Sequence, residues 1–138
     1  MTPTLTLSHC FLPVHDQDVA LTFYRDVLGF EVRSDVTMGD FRWLTVGPPM
    51  QRDIEINLES PTTGRSKEDA DLIFALLAKG NLATLALRTD DIDAAFEQLA
   101  AAGAEVIQEP IDQPYGVRDC AFRDPSGNQL RLSQTAPA

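Results

Sequence analysis

Two rhythms of apolar residues take turns along this chain. Residues 5–12, LTLSHCFL, suit a strand. In residues 18–28, DVALTFYRDVL, the apolar positions Val19, Ala20, Phe23, Tyr24, Val27 and Leu28 share one helical face. Asp16 or Asp18 can cap that helix and Gly29 can end it. Strands are predicted at about 30–36, 41–47 and 53–59, with Met38-Gly39-Asp40 as the hairpin turn between the first two. The second half repeats the order. A strand over 82–88 leads to a helix capped by Asp90-Asp91, with Ile92, Ala95, Phe96, Leu99 and Ala102 on one face and Gly103 as its stop. Strands at about 104–109, 117–123 and 128–133 complete the set. Residues 14–32 match residues 89–106, with an offset of 75 before the helix (Val14 to Thr89) and 74 after it (Val32 to Val106). The pattern is a βαβββ unit written twice.

Between the halves, residues 60–80 read as a polar link followed by a short helix near 67–78 that carries Leu72, Ile73, Phe74, Leu76 and Leu77. The expected organisation is one domain over 1–138, with module one at about 5–59, the connecting segment at 60–80 and module two at about 81–133. Each module alone is too small to bury its own sheet face, so each is expected to be covered by its twin. A net charge of −10 argues against nucleic acid and anionic membranes as partners. No stretch approaches the ~18 apolar residues that span a bilayer. The opening MTPTLTLSHCFLPV lacks a basic region followed by an apolar run, so a cytoplasmic location is expected. Cys10 and Cys120 lack CxxC spacing and are expected to be small buried hydrophobes.

Residues 122–132, FRDPSGNQLRL, hold the least ordinary feature. Asp124-Pro125-Ser126-Gly127-Asn128 is a turn by its own chemistry, and the strand after it sets Arg131 between Leu130 and Leu132. Such a charge points either to water or into a polar pocket. Together with Phe23-Tyr24-Arg25-Asp26-Val27-Leu28-Gly29-Phe30 and the duplicated βαβββ order, this turn resembles the vicinal oxygen chelate superfamily. That superfamily holds glyoxalase I, type I extradiol dioxygenases, fosfomycin-resistance enzymes and bleomycin-resistance proteins. The resemblance covers about residues 5–133 and implies an α+β fold in which two tandem βαβββ modules form an incomplete barrel around a ligand. It also implies a homodimer, with the pocket at or near the interface between copies.

Where members of such a family bind a divalent metal, the first and last strand of each module supply the ligands, and the cation acts as a Lewis acid on vicinal substrate oxygens. His9 stands at the first of these positions, five residues before Val14, and Thr84 at its counterpart, five before Thr89. Arg131 occupies the last-strand position of module two, where a fixed cation repels a metal. In module one either Glu55 or Asn57 can match it. The resemblance therefore implies a metal site reduced to His9 and Glu55. The expectation is a protein of the glyoxalase/bleomycin-resistance type that binds and sequesters a small organic molecule without a cofactor. The alternative is a metal-dependent lyase, isomerase or extradiol-type dioxygenase that holds iron, nickel, zinc or manganese on His9 and Glu55.

The expected ligand contacts are Arg131, Trp43, Thr84, Asn57 and Tyr115. Arg131 can pair with an anionic group of the ligand or form an internal bridge to Glu55. Trp43 can stack on a planar ligand or fill the core. Tyr115 and Arg118 can rim the pocket or sit in a plain hairpin, and His15 reads as a surface or capping residue.

Overall fold

The computed structural model describes residues 2–135. Module one runs β1 (His9–Pro13), α1 (Gln17–Thr22), a π-helical turn (Phe23–Val27), β2 (Glu31–Met38), β3 (Phe41–Gly47) and β4 (Glu55–Glu59). After α2 (Lys67–Ala78), module two runs β5 (Thr84–Arg88), α3 (Ile92–Ala101), β6 (Glu105–Asp112), β7 (Val117–Arg123) and β8 (Gln129–Thr135). The strands form two four-stranded sheets of matching order, β1-β4-β3-β2 and β5-β8-β7-β6. In each, an antiparallel meander is extended by the module's first strand lying parallel to its last. The fold is α+β and the duplication is real, with no closed barrel.

The helix caps follow the sequence signals. Asp16 accepts from Val19 N and Asp91 from Ala94 N, each satisfying an amide that the first helical turn leaves free. The one-residue change of offset has a physical home. Leu28 N reaches back five residues to Phe23 O, closing a π turn where α3 stays α-helical. Module one thus stores its extra residue inside the helix, so the single α-helix expected over 18–28 ends at Thr22.

One core serves both modules. Tyr24, Leu44 and Leu58 of the first belong to the same buried cluster as Ile92, Phe122 and Leu130 of the second. Tyr24 Oη donates to Asp124 Oδ2 at 2.7 Å, Asn128 Nδ2 donates to Pro13 O at 2.8 Å and His15 N donates to Ser126 Oγ at 2.8 Å. The Asp124–Asn128 turn is therefore a clasp between modules as well as a mark of the fold. Asp124 Oδ1 organises it by accepting from the amides of Ser126, Gly127 and Asn128, each at 2.9 Å. Gly127 sits at φ +111°, where an added Cβ would collide with the Leu77 carbonyl of α2.

Two expectations are corrected at the first strand. The strand predicted over 5–12 begins only at His9. Cys120 is buried, but Cys10 is exposed, because β1 is an edge strand. Burial pushes the Cys120 thiol up to about 11, with the neighbouring Asp119 charge adding to it. No helix among the described residues is long and apolar enough to cross a membrane.

Candidate functional site

Strand periodicity sends alternate side chains to opposite faces. Buried Cys120, Phe122, Leu130 and Leu132 give sheet two a core face, where Phe96 of α3 packs on Phe122 with ring centroids 5.3 Å apart. The other face of each sheet, its open face, carries His9, Glu55 and Asn57 in the first sheet and Thr84 and Arg131 in the second. Among the described residues, no hydrogen bond, ion pair or ring contact joins the two open faces.

On the first open face, β1 and β4 place His9 beside Glu55 and Phe11 beside Asn57, while β3 sets Thr45 next to Asn57. The Trp43 ring lies 5.6 Å from the His9 ring and 6.1 Å from that of Phe11, tilted and edge-on respectively. Phe11 remains 56% exposed, so the aromatic group is not core. Glu55 Oε1 accepts from Thr45 Oγ1 at 2.6 Å and lies 3.8 Å from His9 Nε2. His9 Nδ1 is 2.9 Å from Ser8 Oγ. Thr45 and Asn57 are buried at the centre of the sheet.

On the second open face, β5 and β8 pair Thr84 with Gln129 and Ala86 with Arg131. Thr84 is exposed and its hydroxyl donates to Gln129 Oε1 at 3.2 Å. Arg131 does not reach Glu55. Its Nη2 donates to Asp119 Oδ2 at 3.1 Å and to Gln108 Oε1 at 3.3 Å. Asp119, only 3% exposed, also accepts on Oδ1 from Gln108 Nε2 at 2.8 Å and Gln113 Nε2 at 3.0 Å. Burial alone would push the Asp119 carboxyl up; the hydrogen bonds from Gln113, Gln108 and Arg131, with the charge of Arg131, outweigh it and hold the carboxyl below its ordinary value. The bridge expected between Arg131 and Glu55 is thus replaced by one to Asp119, because β7 brings that carboxylate beside Arg131 on the same sheet.

Register also decides between Glu55 and Asn57. His9 pairs with Glu55 as Thr84 pairs with Gln129, and Phe11 pairs with Asn57 as Ala86 pairs with Arg131. Asn57 is therefore the positional twin of Arg131. The four family-type metal positions then read His9, Asn57, Thr84 and Arg131, which leaves one good donor. Glu55 lies beside His9 but one pair away from the matching place. Among the described residues no group of three His, Cys, Asp or Glu side chains converges. This donor set does not fit a divalent metal of that kind.

The remaining positions lie elsewhere. Tyr115 stands 70% exposed on the β6–β7 hairpin. Arg118 faces the helix side, with Nη2 donating to Asp93 Oδ1 of α3 at 2.9 Å, so it does not rim the open face. His15 is exposed, its ring edge-on to Phe74 at 5.2 Å. Sequence reasoning missed Phe11 and Asp119. Phe11 was discoverable, since it is two residues from His9 on the same strand; the role of Asp119 depends on cross-strand register.

Comparison with known proteins fits this geometry. The model of the Glyoxalase/Bleomycin resistance protein/Dioxygenase superfamily matches residues 6–132. The chain belongs to that superfamily. Among solved structures, the superfamily fold recurs in UcmS2, which is 38% identical with a TM-score of 0.87 over 95% of this chain and 98% of that one. It recurs also in TnmS3, an antibiotic binding protein from Streptomyces sp. CB03234, which is 31% identical with a TM-score of 0.76 over 99% of this chain and 100% of that one. A probable lactoylglutathione lyase of Synechocystis sp. (strain ATCC 27184 / PCC 6803 / Kazusa) is 29% identical over 94% of this chain and 95% of its own length.

Proposed function

We propose that the protein binds and sequesters a small organic molecule with a planar, apolar part. The site is a groove between the first open face of one copy and the second open face of another, in a cytoplasmic homodimer. The observation that carries this reading is the ring group of His9, Phe11 and Trp43 on the first open face, where Phe11 is exposed and the other two rings are half-buried. Aromatic rings presented at a surface offer stacking area at low entropic cost. Arg131 and Thr84 of the second open face would meet the polar parts of the ligand, Asn57 would line the floor, and Tyr115 would flank the groove from its hairpin. The likeness to an antibiotic binding protein supports the same class of ligand. Because Asp119 already neutralises Arg131, that residue favours a hydrogen-bond acceptor over a full negative charge.

Trp43 is the chain's sole tryptophan, so its emission reports this site alone. Titration of EDTA-treated protein with a panel of planar polycyclic antibiotics is expected to quench Trp43 saturably for at least one of them. Phe11→Ala is expected to weaken that binding about tenfold, the scale of one stacked ring. No saturable quenching across the panel, or quenching indifferent to Phe11→Ala, would overturn the reading.

The second reading, a metal-dependent lyase, is favoured by the Synechocystis relative and by the 3.8 Å approach of His9 to Glu55. The donor set speaks against it, because His9 is the one good donor among the four matching positions. Elemental analysis after exposure to iron, nickel, zinc and manganese decides it. Stoichiometric metal in the wild type that is lost in His9→Ala would overturn the metal-free reading and direct the search to lyase, isomerase and dioxygenase substrates.

A further inference from the structure

A second cleft lies between the modules, away from the aromatic group. Its walls are Leu28 and Phe30 after the π turn and Leu87 and Leu132 of the second sheet, with the exposed Met50 of the β3–β4 loop at its mouth, and the half-open space holds about 610 Å³. That volume falls within the usual range for small-molecule sites. Arg88, at the end of β5, stands at its edge.

Charge singles this cleft out. The chain carries a net charge of −10, yet no aspartate or glutamate lines it. Eight of the arginines, Arg25, Arg33, Arg42, Arg52, Arg65, Arg118, Arg123 and Arg131, each lie within ion-pair distance of a carboxylate. Arg88 is the one arginine among the described residues without such a partner, and it is exposed. The other large cleft, beside the Asp124–Asn128 turn, offers a contrast. It is lined by Glu105 and Asp124, and its Arg123 is held by Gly127 O at 2.9 Å and by Glu105. In an acidic protein, a free guanidinium beside an acid-free apolar cleft is complementary to a carboxylate on a hydrocarbon body.

We infer that this cleft binds an organic monocarboxylate, with its apolar body against Leu28, Phe30 and Met50 and its carboxylate on Arg88. The inference stands apart from the aromatic open face and does not depend on it. It also moves recognition of negative charge from Arg131, which Asp119 occupies, to Arg88.

The test uses octanoate and octan-1-ol, which differ in the carboxylate, with the full chain labelled at its methionine methyl groups. Met50 lines the cleft, and Met38 at the β2–β3 turn serves as the internal control. Octanoate is expected to shift the Met50 methyl signal while Met38 stays in place, and to bind about fivefold more tightly than the alcohol, as suits a partly exposed ion pair. Arg88→Gln, an exposed substitution at a strand end, is expected to bring the acid down to the alcohol's affinity. An unmoved Met50 signal, equal affinities in the wild type, or a preference for the acid that survives Arg88→Gln would overturn the inference. Trp43 emission followed in the same titration reports the open face separately, so failure at one site is distinguishable from failure at the other.

Discussion

Arg131 is the residue on which the sequence poses its sharpest question, and Asp119 answers it. Arg131 keeps 35% of its side chain exposed, so leaving it unpaired on this strand would cost only part of what a fully buried charge costs. Here Asp119 supplies the countercharge, and Gln108 and Gln113 complete the hydrogen bonding of the carboxylate. Because the folded carboxyl is held below its ordinary value, Asp119 contributes stability that is fully present above the ordinary carboxylate range and drains away as pH falls through the folded value. Asp119→Asn is therefore expected to destabilise the protein at neutral pH and to flatten its loss of stability below about pH 4, read from urea unfolding at several pH values. A wild-type acid slope retained in Asp119→Asn would show that the carboxylate is not linked in this way. The partner of Arg131 was not legible in the sequence, because Glu55 and Asp119 are equally plausible carboxylates until strand register is known. Phe11 was legible by period two from His9, but it reads equally as core on a strand whose neighbour Leu12 is buried.

At the scale of elements, the clasp joining the modules is a turn, an aromatic hydroxyl and an asparagine. Tyr24 is fully buried, and burial first, then the charge of Asp124 and the hydrogen bond to it, push its hydroxyl well above the ordinary tyrosine value. The phenol therefore stays a donor across the working pH range. Tyr24→Phe removes that donor and leaves a buried carboxylate short of one partner, which is expected to cost about 2 kcal/mol in urea unfolding. A cost near zero would mean that the clasp is held by Asn128 and the turn amides alone. Most elements were legible because their signals are local. The expected 41–47 and 117–123 strands and the 67–78 helix match β3, β7 and α2 in the structure. The π turn was visible only as a one-residue change of offset between the repeats, since local periodicity does not separate an α turn from a π turn.

In the whole molecule the two sheets share their core, and each open face is buried at its centre, at Thr45, Asn57 and Asp119, and exposed along its first strand. Phe11 of β1 is 56% exposed, and Leu5 and Leu7, which precede β1, are 92% and 64% exposed. An apolar strip of this kind beside an edge strand invites a second copy. The family was legible from two motifs and the duplicated order, because those residues build the turn and the helix that hold the modules together. The ligand was not, because the open faces are defined by side chains that differ in chemistry while the backbone is kept.

If one groove is built from two copies, two variants each defective in a different face repair one another in a mixed dimer. Phe11→Asp spoils the first open face and Thr84→Arg obstructs the second, both at exposed positions. Calorimetric titration with the ligand found by Trp43 quenching is expected to show no binding to either variant alone. After subunit exchange in an equal mixture, half of the dimers pair one copy of each. Each such pair holds one intact groove, so binding should return to about a quarter of the sites by the two-fold symmetry of the dimer. Binding by either variant alone, or none in the mixture once exchange is complete, would mean that the groove is not shared between copies.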